Sequence, residues 1–337
     1  MRAPDFWWDP QAAWPASLLR PAGLVYGAVA TRRMRRRGER ASLPVICIGN
    51  FTAGGAGKTP TALAVARILD AAGESPAFLT RGYGGRLRGP IQVRAKHKAA
   101  DVGDEPVLLS KASRTIVSSD RPAGARLAYE MGSTVIVMDD GLQNSSLVKD
   151  CAIAVVDGAV GVGNGLPLPA GPLRAPLDTQ WPLVDAVIVI GEGEPGRQLA
   201  EQAANRGKRV FTARLEPAAG AAQALKGTRV LAFAGIGRPE KFFDTLRACG
   251  AVVEATRSFP DHHPYRASEL AALRQEAQAL GLRPVTTEKD LARIAALAEA
   301  EPWPELQALP VRLAIENEAA LRNLILRRIN ERRLRPA

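Results

Sequence analysis

The segment Gly49-Asn50-Phe51-Thr52-Ala53-Gly54-Gly55-Ala56-Gly57-Lys58-Thr59-Pro60 carries the most explicit chemistry in the chain. Gly54, Gly55, Ala56 and Gly57 are small enough for backbone N–H groups to close round phosphate oxygens, and a following helix adds partial positive charge. Lys58 would reach the β- and γ-phosphates, and the Thr59 hydroxyl would sit on Mg²⁺. The usual spacing places Gly where this chain has Thr52. Asp139 and Asp140 close the apolar run 134–138, the place where a P-loop enzyme keeps its second Mg²⁺ contact. Asp104 and Glu105 precede Pro106 and an apolar run, which suits a helix N-cap. The other reading of Asp104 is a carboxylate near the γ-phosphate that takes a proton from a substrate hydroxyl. Of three histidines, two are adjacent in Phe259-Pro260-Asp261-His262-His263-Pro264-Tyr265. Consecutive side chains point in different directions, which argues against a two-histidine metal site and for a loop histidine paired with a carboxylate. Thr287-Glu288-Lys289-Asp290 approaches a guanine-reading motif, but the inserted Glu288 breaks it.

These residues need elements to hold them. An apolar strand over 43–48 leads into the Gly-rich loop, and a helical pattern (Leu63, Val65, Ala66, Ile68, Leu69) leaves it. Further apolar runs at 76–80, 114–117, 134–138, 151–156 and 186–190 alternate with helical patterns, which predicts a doubly wound, mostly parallel sheet. Residues 158–176 form a Gly/Pro-rich loop of functional length. The reading is an α/β protein with a P-loop domain over 41–214, a linker over 215–227 and a smaller α/β domain over 228–310. A strand and an amphipathic helix over 311–337 would return to the P-loop domain.

The formal charge of +11 is concentrated in two patches: six arginines against Glu39 between 32 and 40, and six against Glu331 between 322 and 335. Such patches attract phosphates of lipid headgroups or of nucleic acid. The three cysteines are far apart and form no Cys-x-x-Cys pair, as expected of buried thiols in a reducing compartment. Residues 1–40 combine Trp7, Trp8 and Trp14 with an uncharged run over 21–31 and then arginines. That run falls short of the ~20 apolar residues of a membrane span. Asp5 and Asp9 offset Arg2, and the basic segment follows the apolar run, so a cleaved signal does not fit. Two readings remain, a helix lying on a membrane surface or a packed N-terminal helix with a solvated basic end.

In order along the chain, the motif at 49–60, Arg81-Gly82-Tyr83-Gly84, Gly103-Asp104-Glu105-Pro106, Asp139-Asp140-Gly141-Leu142-Gln143, Leu168-Pro169-Ala170-Gly171-Pro172-Leu173-Arg174, the 259–265 loop and Thr287-Glu288-Lys289-Asp290 resemble the tetraacyldisaccharide 4′-kinase family. Thr at position 52 is normal in that family. The resemblance implies ATP- and Mg²⁺-dependent phosphorylation of the 4′-hydroxyl of a lipid-linked disaccharide 1-phosphate, in lipid A biosynthesis. It also implies two α/β domains across a cleft, and a peripheral, monomeric protein at the cytoplasmic face of the inner membrane without a nucleic-acid partner. Carried onto this chain, Asp104 is the base, paired with His262 across the cleft. Lys58 holds phosphate, and Gly54 to Pro60 with Gln143 bind the nucleotide. Thr59, Asp139, Asp140 and Glu105 bind the metal, and Arg81, Arg121 and Arg174 bind the anionic substrate. Two places depart from the family pattern: Leu142 and Asn144-Ser145-Ser146, where it has Phe and His-Arg-Arg, and Ala175, where it has Glu. The competing readings are a nucleotide-switched binding protein and a catalytically weakened homologue.

Overall fold

The computed structural model describes residues 4–8, 13–218, 220–298 and 302–334. Arg2, Asp9, Ala219 and Arg335, which the sequence reading used, lie outside them. The first eight strands in chain order are β1 (Val45–Gly49), β2 (Pro76–Thr80), β3 (Ile91–Gln92), β4 (Arg114–Val117), β5 (Val135–Asp139), β6 (Cys151–Asp157), β7 (Ala186–Ile190) and β8 (Arg209–Pro217). β9 (Arg229–Ala234), β10 (Val252–Ser258), β11 (Arg283–Thr287), β12 (Gln307–Leu309) and β13 (Val311–Ile315) follow. A nine-stranded sheet runs β13-β8-β7-β6-β1-β5-β2-β4-β3, parallel except at its two edges, β13 and β3. The runs at β1, β5 and β6 are continuous apolar sequence because both of their faces are covered. Ile46, Ile48, Val135, Val137 and Ile153 pack on one face with the helix Lys58–Asp70 and the C-terminal helix. Val45, Cys47, Ile136, Met138 and Ala152 pack on the other, against Ala125, Ala128, Leu199 and Ala203. β1 lies between β5 and β6, and the register Ile48↔Asp139 sets Asp139 beside the start of the Gly-rich loop.

A second, four-stranded parallel sheet, β10-β9-β11-β12, forms the smaller unit. Alternate residues of β9 again serve two faces: Val230, Ala232 and Ala234 meet Phe242, Phe243 and Leu246, while Leu231 and Phe233 meet Leu273, Ala277 and Ile294. The stretch 215–227, expected as a linker, carries the end of β8 and a short helix, Ala221–Leu225. The chain then returns: β13 pairs antiparallel with β8, and the helix Glu318–Leu334 buries Leu321, Leu324, Ile325 and Ile329 against the large sheet. Three of its arginines are held against the rest of the fold. Arg328 bonds Asp185 at 2.6 Å, Arg333 bonds Glu74 at 2.7 Å, and Arg332 donates to the Ala41 carbonyl at 2.9 Å. Part of the C-terminal basic patch is therefore a tether, because groups distant in sequence fold against it. Ile325→Ala removes a fully buried side chain from this seam and is expected to destabilise by about 2–5 kcal/mol. A thermal melt measures this, and an unchanged Tm would show that the helix is not docked.

The N-terminal helix Ala13–Met34 is 22 residues long and includes Pro21. Ala16, Gly23, Gly27 and Met34 recur at helical spacing on its buried side. A Cβ at Gly23 would lie 3.0 Å from the Pro167 carbonyl, and one at Gly27 3.1 Å from Pro176, so small residues let this helix seat on the 158–176 loop. Trp14, Leu18, Val25 and Val29 fall on the opposite side and stand exposed, Trp14 at 76% and Leu18 at 74%. Among the described residues no helix is long and apolar enough to cross a membrane.

Candidate active site

The Gly-rich loop joins β1 to the helix Lys58–Asp70. Gly57 caps that helix at φ 91°, and a Cβ there would lie 2.6 Å from Ile190 Cδ1, so both conformation and space require glycine. The 158–176 loop braces the segment from outside: Ala53 N donates to the Pro172 carbonyl at 2.7 Å, and Arg174 N to that of Phe51 at 2.9 Å. Lys58 Nζ donates to Asn50 Oδ1 and to the Gly54 carbonyl, both at 3.4 Å, and lies 3.7 Å from Asp140 Oδ1. It is thus already aimed over the loop, on weak partners that phosphate oxygens can replace. Gln143 faces the loop's base: its Nε2 donates to the Asn50 carbonyl and to Gln180 Oε1, each at 2.7 Å. Gln180, fully buried, donates in turn to the Ala175 carbonyl. The loop's shape is therefore built from beneath by amides.

Asp139 ends β5 only 1% exposed, and its Oδ1 has no hydrogen-bond partner among the described residues. Burial, with Glu105 and Asp140 nearby, pushes its carboxyl up to about 7. A buried oxygen of this kind beside a phosphate loop suits a divalent cation, which restores the charged form. No cluster of three or more His, Cys, Asp or Glu forms a cage among the described residues. Mg²⁺ does not need one, since it is bound by one or two carboxylates, phosphates and water. Asp139 and Thr59, with Asp140 beside them, fit that demand. Asp140, at φ 51°, also accepts from Arg174 Nη1 at 2.8 Å.

Asp104 begins the short helix Asp104–Leu109, with Gly103 at φ 95° before it. Its carboxylate does not cap the later turns of this helix. Oδ1 accepts from the N–H of Glu105, and Oδ2 points into the smaller unit, 3.3 Å from His262 Nδ1 and 2.9 Å from Arg293 Nε. Burial alone would raise this carboxyl, but the His262 hydrogen bond and the charges of Arg293 and Lys289 outweigh it and hold it well below the usual carboxylate range. The same hydrogen bond raises His262. His262 adopts φ 57° and meets the Tyr83 ring edge-on at 5.4 Å between centroids. His263 turns away, stacking on Phe259 and lying 3.0 Å from Glu269. Glu105 bonds Lys289 at 2.8 Å. Arg81 is exposed at the cavity wall, whereas Arg121 is buried with Nη2 on the Asp139 carbonyl at 3.3 Å. One cavity of about 1160 Å³ runs from Tyr26, Val29 and Arg33 past Lys58, Glu105 and Arg174 to His262.

The model of the family "Tetraacyldisaccharide-1-P 4′-kinase" matches residues 15–330. This chain belongs to that family. A tetraacyldisaccharide 4′-kinase of Methylobacterium sp. (strain 4-46) is 60% identical over 324 residues, covering 95% of this chain and 96% of that one. One from Rhodopseudomonas palustris (strain BisB5) is 52% identical over 334 residues, covering 99% and 98%. A crystal structure of LpxK from Aquifex aeolicus, in complex with ATP, matches with a TM-score of 0.71 at 26% identity, over 93% of this chain and 99% of that one. The departures from the tetraacyldisaccharide-1-P 4′-kinase pattern have local structural roles. Ser145 Oγ donates to the Arg33 carbonyl at 2.8 Å, and Glu39 N to that of Ser146 at 2.9 Å, so this loop ties down the end of the N-terminal helix. Ala175 is fully buried at the base of the amide network. The sequence reading placed Lys289 and Asp290 in a family motif without giving them a role at the site, and it missed Arg293. The signal for Arg293 was that it lies four residues after Lys289, on one face of the helix Glu288–Ala298.

Proposed function

We infer that this chain is a lipid-sugar kinase that moves the γ-phosphate of ATP to the 4′-hydroxyl of a tetraacyldisaccharide 1-phosphate, a step of lipid A biosynthesis. Beyond family membership, the observation that carries the reading is the meeting of Asp104 and His262, from separate units, beside a phosphate loop. Phosphoryl transfer asks mainly for positioning and charge stabilisation. The N–H groups of Gly54 to Thr59 and the Lys58 ammonium hold the polyphosphate, and Gln143 sets the loop's shape. Thr59 and Asp139, with Asp140 and Glu105 near, would hold Mg²⁺, which would supply positive charge toward the polyphosphate. Asp104, oriented by His262, takes the proton of the attacking hydroxyl. Arg81, Arg121 and Arg174 favour an anionic acceptor, Arg81 being exposed and, among the described residues, without an ion pair.

The membrane reading rests on the exposed stripe of Trp14, Leu18, Val25 and Val29, followed by the arginines of residues 32–40. At ~1 kcal/mol per near-surface arginine, that cluster supplies several kcal/mol on an anionic leaflet. The cavity opens toward this helix, so a lipid lying in the cytoplasmic face of the inner membrane would present its sugar to Asp104. A single chain contains every group the site uses, which fits a working monomer. The decisive experiment incubates the protein with γ-labelled ATP and the lipid disaccharide 1-phosphate. Label on the lipid is expected; ATP hydrolysis without lipid labelling would favour a nucleotide-switched binding protein or a weakened homologue.

A further inference from the structure

Arg293 makes more bonds at the site than any residue the reaction itself calls for. Its Nε and Nη2 both donate to Asp104 Oδ2. Its Nη1 donates to Asp290 Oδ1 at 2.7 Å and to the Gly235 carbonyl at 2.6 Å. That carbonyl also accepts the backbone N–H of His262 at 3.2 Å, and Arg293 Nη2 lies 3.5 Å from His262 Nδ1. One planar guanidinium thus touches the carboxylate of one unit and, in the other, both the histidine and the residue after β9 to which that histidine's backbone is bonded. Its anchor is rigid: Asp290 is fully buried and also accepts from Gly235 N, Tyr265 Oη and Thr287 Oγ1. One turn earlier on the same helix, Lys289 holds Glu105, the residue next to Asp104.

The need for such a device follows from the local backbone. His262 is a non-glycine residue at φ 57°, a conformation that persists only where its surroundings enforce it. Asp104 sits on a helix too short to fix a side chain by packing alone. The two belong to different sheets, so their separation depends on how the units meet. A forked, always-charged donor bridging both sides sets that separation, and a lysine's point charge cannot reproduce the fork.

We propose that Arg293 is the positioning residue of this kinase: its guanidinium, anchored on Asp290, docks Asp104 and the His262 loop together and so builds the proton-accepting pair. The proposal rests on the kinase reading above. Arg293 is not among the residues that line the cavity; it acts through Asp104 and His262.

The test uses full-length protein, labelled ATP and the lipid disaccharide 1-phosphate, with Arg293→Gln, Arg293→Lys and Arg293→Ala. Misplacement of reacting groups by about 1 Å lowers rates on the order of 10²-fold. Arg293→Gln is therefore expected to lose about 10²-fold in kcat with KM for ATP little changed and, because it breaks a buried pair, to melt lower while staying folded at the assay temperature. Arg293→Lys, which keeps the charge, is expected to recover only a minor part. Millimolar guanidinium added to Arg293→Ala is expected to raise its turnover several-fold and to leave wild type unaffected. Turnover of Arg293→Gln near the wild-type value would overturn the proposal. Loss of ATP binding along with turnover, or absence of guanidinium rescue, would also overturn it and make Arg293 a residue of the fold alone. If wild-type protein labels no lipid, the kinase reading fails, an outcome distinct from either.

Discussion

Asp104→Asn is expected to lower kcat by about 10²–10⁴-fold, the ordinary contribution of a general base, while ATP binding persists. The substitution keeps the size of the side chain and removes its charge and its capacity to take a proton. Nothing in the Gly-rich loop depends on Asp104, whose bonds run to Glu105, His262 and Arg293. The binding and chemical steps should therefore separate cleanly, with nucleotide titration near wild type and lipid labelling largely lost. A second effect comes with it. Asp104 and Arg293 are both nearly buried, and breaking a buried pair by removing one partner costs about 3–5 kcal/mol. Asp104→Ala should accordingly melt lower than Asp104→Asn, which still offers Arg293 an amide oxygen. A melt beside the assay distinguishes a chemical defect from a docking defect. Turnover of Asp104→Asn close to wild type would remove Asp104 from the proton transfer.

Lys58→Ala is expected to weaken nucleotide binding and to lower kcat by about 10²–10³-fold, the scale for removing one donor from a preorganised anion site. Here the two losses should not separate. The ammonium is already poised over the loop, held by Asn50, Gly54 and Asp140, so it would meet phosphate in the ground state and in the transition state alike. Removing it also leaves Asp139 and Asp140 less compensated beside the phosphates, since Lys58 is among the charges that lower both carboxyls. Isothermal titration with a non-hydrolysable ATP analogue and lipid labelling would together measure this. Unimpaired nucleotide affinity in Lys58→Ala would show that the backbone amides alone hold the polyphosphate.

How much of this was legible beforehand depends on range along the chain. β1, the loop, Lys58 and the following helix are contiguous, so local spacing sufficed to read them as a phosphate site. The strand ending in Asp139 was legible for the same reason, because burial on both faces demands an unbroken apolar run. His262 was singled out as a rare loop histidine, yet its partner came only from family likeness. Arg293 was not read at all, since an arginine on an amphipathic helix resembles any solvated face. The C-terminal arginines were read as a patch that attracts phosphates, whereas Asp185 and Glu74, distant in sequence, bind Arg328 and Arg333.

The amino-acid sequence by itself determined the phosphate loop, the parallel sheet and the family, because each is written in residues close together or in a fixed order. Only the tertiary structure decided which carboxylate meets which cation. Asp104 and Arg293 are 189 positions apart, and no local preference of either encodes their contact. That pairing exists because two sheets, each burying both faces under its own helices, dock with the ends of Asp104–Leu109 and Glu288–Ala298 opposed. In a crevice poor in water, opposite charges brought that close hold each other in place.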